Sequence, residues 1–210
     1  ESTRQNQLTT WQLLRRFRPS ILFGELTLDL VMQFEQYLHQ RGFHLNTIAK
    51  HMKHFKRYVN LAIKRRLMSV EMNPFSQYRI RSATTHYSFL TLEELQRLEV
   101  LQLSQRQYGM QHTLDAFLFC CYSGLRYSDF THLTADNVAY QDRECWLSYR
   151  SVKTSVEVRS PLHLLFGGKG MALLAKYSGR EEDFFQLGSN SNANKQLGAL
   201  AELAGIEKHI

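Results

Sequence analysis

The sequence predicts a mainly α-helical protein with one small antiparallel β-hairpin or sheet, and three observations carry that prediction. Through residues 1–75, apolar residues recur at three- and four-residue spacing in segments that open on Thr or Asn. In Glu144–Ser151 and Ser155–His163 the pattern switches to the two-residue alternation of strands. Helical spacing then returns in residues 168–178 and 190–204.

Taken in order, "TTWQLLRRF" follows a threonine cap signal and reads as the first helix. "TLDLVMQFEQYLHQRG" starts on Thr27 and Asp29 and stops at Gly42, and "NTIAKHMKHFKRYVNLAIKRRL" opens with Asn46 or Thr47 as its cap. These three make a small helical bundle. "EMNPFSQYRIRSATTHYS" breaks the periodicity at Asn73-Pro74 and carries few apolar residues, so residues 76–90 read as a linker. Thr91 then caps a helix in "TLEELQRLEVL", with Glu94 at the capping-box position. A helix over residues 106–122 ends strongly apolar, and a short one is predicted from Arg126 to Leu133 after the Ser123-Gly124 turn. "ECWLSYRS" and "SVEVRSPLH" form the hairpin, with Lys153 at its turn. Two more helices close the chain, and Gly205 is placed as a helix stop.

Composition bounds the function. With 210 residues, 43% of them apolar, the chain can build one large domain or two of ordinary size. No apolar run approaches the ~20 residues of a membrane span. Three cysteines, Cys120, Cys121 and Cys145, fit neither zinc spacing nor a disulfide framework, and no signal peptide opens the chain, so a cytoplasmic protein is expected. The net charge of +7 is unevenly shared: residues 1–90 hold 14 Lys and Arg against five Asp and Glu, and residues 91–210 hold 12 against 14. A polyanion partner for the first half follows, with nucleic acid favoured over a membrane.

Two constellations stand out. In the third helix Ile48, Met52, Phe55, Val59 and Ala62 or Ile63 make a core stripe, and Lys50, Lys53, His54, Arg57 and Lys64 lie along another face. A helix fits the DNA major groove, where such a face binds phosphates and reads base edges. The second is Arg126 with Asp129, spaced so that the carboxylate can hold the guanidinium fork toward a phosphate, with Lys153 on the hairpin tip able to reach over a neighbouring site. Each has a plainer reading, as a solvated cationic face, an ordinary surface ion pair and a solvated turn lysine respectively.

"CCYSGLRYSDFTHLTADNV" followed by "WLSYRSVKTSVEVRSPL" resembles the first catalytic block of the tyrosine recombinases, the phage integrase family. In that block a glycine-flanked "GLR" precedes an acidic residue and then a "KT" hairpin. "FLTLEELQRL" and the upstream "NTIAKHMKHFKRYVNLAI…NPF" are similar to the start of that catalytic domain and to the core-binding domain before it, in the style of integrases from Bacteroides mobile elements.

The resemblance implies a helical, SAM-like core-binding domain at 1–75, a linker at 76–90, and the first part of a mixed α/β catalytic domain at 91–210. It makes Arg126 the catalytic arginine that clamps a non-bridging oxygen of the scissile phosphate, Asp129 the residue that orients it, and Lys153 the acid for the 5′-hydroxyl leaving group. Fixed cations aimed at a phosphorane stabilise the charge that develops there, with no metal and no cofactor. The implied partner is double-stranded DNA. The family's second block, a His-x-x-Arg and the nucleophilic tyrosine, falls beyond Ile210, and the arm-binding domain is absent or reduced to residues 1–8. His54-Phe-Lys-Arg57 lies before Arg126, in the wrong order to serve, and Tyr177 reads as helix packing. These residues are therefore expected to bind DNA as a monomer without cleaving it, while a longer parent acts as a tetramer on DNA through a 3′-phosphotyrosine link. The rival readings are a non-catalytic DNA-binding regulator derived from such an integrase and a basic helical module for RNA.

Overall fold

The computed structural model describes residues 2–85, 87–104 and 107–208. It divides into two compact units, Glu1–His86 and Tyr87–Ile210. The first unit holds α1 (Ser2–Phe17), α2 (Leu28–Gln40) and α3 (Leu45–Lys64). Leu13 and Leu14 of α1, Leu30, Val31, Phe34 and Leu38 of α2, and Ile48, Met52, Phe55 and Val59 of α3 share one core. Phe55 packs edge-on against both Phe34 and Phe75, at 5.6 and 5.4 Å between ring centroids, so the turn after Asn73-Pro74 closes the core rather than leaving it.

Thr27 caps α2 as expected, accepting the Leu30 N–H at 3.2 Å. The start of α3 differs from the expectation. Its cap position is His44, which makes no side-chain cap bond, and Asn46 and Thr47, the expected caps, both lie inside the first turn; the Asn46 oxygen accepts the Ala83 N–H at 2.9 Å and its nitrogen donates to the Thr85 hydroxyl at 3.3 Å. Residues 78–85 therefore follow the first unit, with Tyr78 and Ile80 against its core. Helix α1 also starts seven residues earlier than its apolar spacing suggests, and its polar first half is held from outside. The Tyr58 hydroxyl donates to the Gln7 carbonyl at 2.7 Å, and Lys50 donates to the Asn6 side chain at 3.3 Å.

The second unit runs α4 (Leu92–Glu99), α5 (Tyr108–Ser123), α6 (Tyr127–Phe130), β1 (Val138–Gln141), β2 (Glu144–Arg150), β3 (Glu157–Pro161), α7 (Lys169–Lys176), α8 (Glu181–Phe185) and α9 (Asn190–Leu203). The Thr91–Glu94 capping box forms as expected. The hairpin has a third strand: the antiparallel sheet has the order β1-β2-β3, with Val138 opposite Leu147 and Leu147 opposite Ser160. Helix α5 is the hub. Its Phe119 meets Phe130, Phe184 and Phe185 edge to face at 5.4–6.3 Å, which draws α6 and α8 onto one core with Leu147 and Leu162. Its other side packs on Leu95 and Leu98 of α4 and on Leu200 and Ala201 of α9.

Candidate functional site

Helix α5 ends at Gly124, whose φ of +72° is open to glycine at little cost and reverses the chain so that Arg126 starts α6. Arg126 is the N-cap residue, in extended conformation, rather than a residue inside the short helix. Asp129, one turn on, is buried at 2% exposure in the core formed by Phe130 and its neighbours.

The Asp129 carboxylate does two things at once. Its Oδ2 stands 3.6 Å from the Arg126 guanidinium, whose side chain is 59% exposed. Its Oδ1 accepts the Val152 N–H at 2.8 Å, and the Ser151 hydroxyl lies at 3.4–3.5 Å from both oxygens. Val152 and Ser151 open the β2–β3 turn that carries Lys153. The structure thus ties Arg126 and the Lys153 turn to one buried anion, although 22 residues separate Asp129 from Ser151. The turn is braced from its far side as well: Arg150 Nε donates to the Ser155 carbonyl at 2.9 Å, and Ser155 sits at a left-handed φ of +57°. Lys153 is exposed. The Arg126–Asp129 pairing was legible from spacing, whereas nothing in the sequence signalled the contributions of Ser151, Val152 and Arg150.

The α3 face is sorted by the structure. Lys50, Lys53, Arg57 and Lys64 are exposed, opposite the buried stripe of Ile48, Met52, Phe55 and Val59. His54 lies on the flank rather than on that face. The Thr10 hydroxyl, fully buried on α1, lies 2.8 Å from Nδ1 of both His54 and His51. Burial, with Lys50 and His54 adding, pushes His51 down to about 4. Burial and then Lys50 and Arg57 lower His54 too.

Tyr177 belongs to a different arrangement. It is buried and donates to the Asp115 carboxylate at 2.7 Å, which Lys176 and Gln111 also engage. Burial, followed by the Asp115 hydrogen bond, holds its phenol far above the usual tyrosine range. Among the described residues no group of His, Cys, Asp and Glu has metal-binding geometry, and no helix is long and apolar enough to cross a membrane.

Residues 1–80 match the family model of the phage integrase SAM-like domain. A comparison with curated proteins finds no match. Among solved structures, the fold is similar to that of a lambda integrase (75–356) dimer bound to a COC′ core site, with TM-score 0.78 and 14% identity over 100% of this chain and 76% of that one. It is equally similar to a lambda integrase tetramer bound to a Holliday junction, at TM-score 0.78 and 14% identity, covering 100% of this chain and 60% of that one. For the XerH site-specific recombinase bound to difH substrate, the TM-score is 0.60 at 13% identity, over 89% of this chain and 56% of that one. At such identities the likeness is one of fold.

Proposed function

We propose that this chain is the DNA-gripping part of a tyrosine-class site-specific recombinase, of the kind carried by mobile elements. The first unit holds duplex DNA by the exposed face of α3, and the second presents the first half of a phosphate-activating site. The observation that carries this reading is the Asp129 carboxylate, which joins Arg126 to the turn bearing Lys153. A surface ion pair has no need of a buried anion shared with a distant hairpin. A site that must hold two cations around one phosphate does. The phage integrase SAM-like match over residues 1–80 and the DNA-bound state of the structurally similar recombinases support the same reading.

In this assignment the Arg126 fork binds a non-bridging oxygen of the scissile phosphate, where its paired donors suit the geometry. Lys153, on its braced turn, hands a proton to the departing 5′-oxygen. Both cations are in place before charge builds at phosphorus, which is where preorganisation lowers a barrier. Asp129 is the positioning residue for both. Among the 210 residues no His-x-x-Arg follows Arg126, and Tyr177 is committed to Asp115. Residues 1–210 alone therefore bind duplex DNA without forming a covalent link.

The test is a gel-shift of residues 1–210 on duplex DNA, run beside a nicked suicide substrate analysed under denaturing conditions. A salt-sensitive complex with no covalent adduct is expected. Failure to bind duplex DNA at low salt, or an adduct mapping to Tyr177, would overturn the assignment.

A further inference from the structure

The exposed stripe of α3 carries Asn46, Lys50, Lys53, Arg57, Asn60 and Lys64, residues that share one side of the helix at 3.6 residues per turn. Only some side-chain types read base edges by paired hydrogen bonds: Arg or Lys to guanine and Asn or Gln to adenine, with Arg alone presenting its donors in a rigid planar fork. Three candidates on or beside this stripe are already committed within the first unit. Asn46 uses both ends of its amide on Ala83 and Thr85. The Asn60 oxygen accepts from the Asn73 amide at 3.5 Å. His54 is turned onto Thr10. Lys50, in addition, reaches Asn6.

Arg57 is left. It is exposed, lies near the middle of the stripe, and makes no ion pair or side-chain hydrogen bond among the described residues. Its planar fork can meet two acceptors at fixed spacing, while an ammonium beside it acts as a point charge. On the reading of α3 as a duplex-DNA face, we infer that Arg57 is the residue of this helix that specifies sequence, by bidentate contact with a guanine edge in the major groove. Lys50, Lys53 and Lys64 then grip phosphates and add affinity without preference. This stripe accordingly reads very little sequence, with one guanine as its fixed point.

The experiment is selection of bound duplexes from a randomised pool by residues 1–210 and by four variants, Arg57→Ala, Arg57→Lys, Lys50→Ala and Lys53→Ala, followed by salt titrations on the best selected duplex. The unaltered protein should enrich a guanine that Arg57→Ala no longer enriches, with about tenfold lost on the selected duplex and much less on random sequence. Arg57→Lys should keep the salt dependence and still lose the guanine, which separates the fork from its charge. Lys50→Ala and Lys53→Ala should weaken all duplexes alike and keep the guanine. A sequence preference unchanged in both Arg57 variants would overturn the inference while leaving α3 as a phosphate-binding face. Unchanged affinity in all four variants would overturn the DNA-facing reading of α3 itself.

Discussion

Replacing Asp129 by alanine tests the claim that one buried carboxylate organises both cations. The side chain is 1% exposed and accepts a charge-assisted bond from the Val152 N–H at 2.8 Å. A bond of that kind contributes about 1.5–3 kcal/mol, and removing the acceptor leaves the N–H unpaired. The pair with Arg126, at 3.6 Å to a side chain that is mostly in water, contributes well under about 1 kcal/mol. Asp129→Ala should therefore destabilise the second unit by about 2–3 kcal/mol, and Arg126→Ala by less than about 0.5 kcal/mol. Asp129→Asn should fall between them, since an amide oxygen still accepts the N–H. With Trp11 changed to Phe, Trp146 on β2 is the remaining tryptophan and reports unfolding of this unit in urea. Hydrogen exchange gives the local reading: the Val152 amide should exchange about thirtyfold faster in Asp129→Ala, the equivalent of ~2 kcal/mol. If stability and Val152 protection are unchanged, the carboxylate does not hold the turn and the site loses its organising residue.

The Asp115 cluster should behave as scaffold: Asp115→Ala should cost about 2 kcal/mol because it leaves the buried Tyr177 hydroxyl without its acceptor, the half-exposed Lys176 ammonium being free to hydrate, whereas Tyr177→Phe should cost about 1 kcal/mol and leave duplex binding unchanged, as denaturation and gel-shift would show. His51 titrates at about 4 in the folded chain against 6.5 unfolded, so the unfolded chain takes up its proton first. Its contribution is complete above pH 6.5 and is lost as pH falls toward 4, by about 2 kcal/mol after allowance for relaxation of the surrounding polar groups. Urea midpoints across that range should drop more steeply for the unaltered protein than for His51→Gln. In a protein that joins residues 1–210 to a second catalytic block, Arg126→Ala and Lys153→Ala should abolish cleavage, each worth ~3 kcal/mol or more of barrier, with duplex affinity nearly intact. A 5′-thiol leaving group should rescue Lys153→Ala alone.

Local signals were legible where a residue's role is local. Thr27, and Thr91 with Glu94, announce their helices because a cap needs only the next turn. Strand β1 was not legible, because "VAYQ" is too short to alternate convincingly and exists through its register with β2. Helix α8 is hidden in the sequence for a similar reason: "EEDFF" is one turn, fixed by Phe184 and Phe185 entering the core around Phe119. The start of α3 lies before the expected cap, Asn46 or Thr47, and the Asn46 amide serves a distant segment, residues 83–85. At the site, the Arg126–Asp129 spacing could be read, but the Asp129–Val152 bond is long-range and depends on how β2 and β3 pack beside α6. His54 shows the same limit, since helical spacing placed it by the cations while Thr10, 44 residues earlier, turned its ring aside.

The central claim is that the exposed face of α3 grips duplex DNA, and the most direct measurement is the salt dependence of binding by Lys50→Ala, Lys53→Ala and Arg57→Ala combined. These side chains lie opposite the buried stripe, so the melting temperature should hold. Each lost phosphate contact removes ~0.9 from the slope of log K against log salt. With Lys50 and Lys53 removed from phosphates and Arg57 from a base edge, the account predicts a slope shallower by about 2 and an affinity at least tenfold lower, equivalent to ~1.4 kcal/mol. A triple variant that keeps the original affinity and slope would contradict it and leave α3 with a merely solvated face.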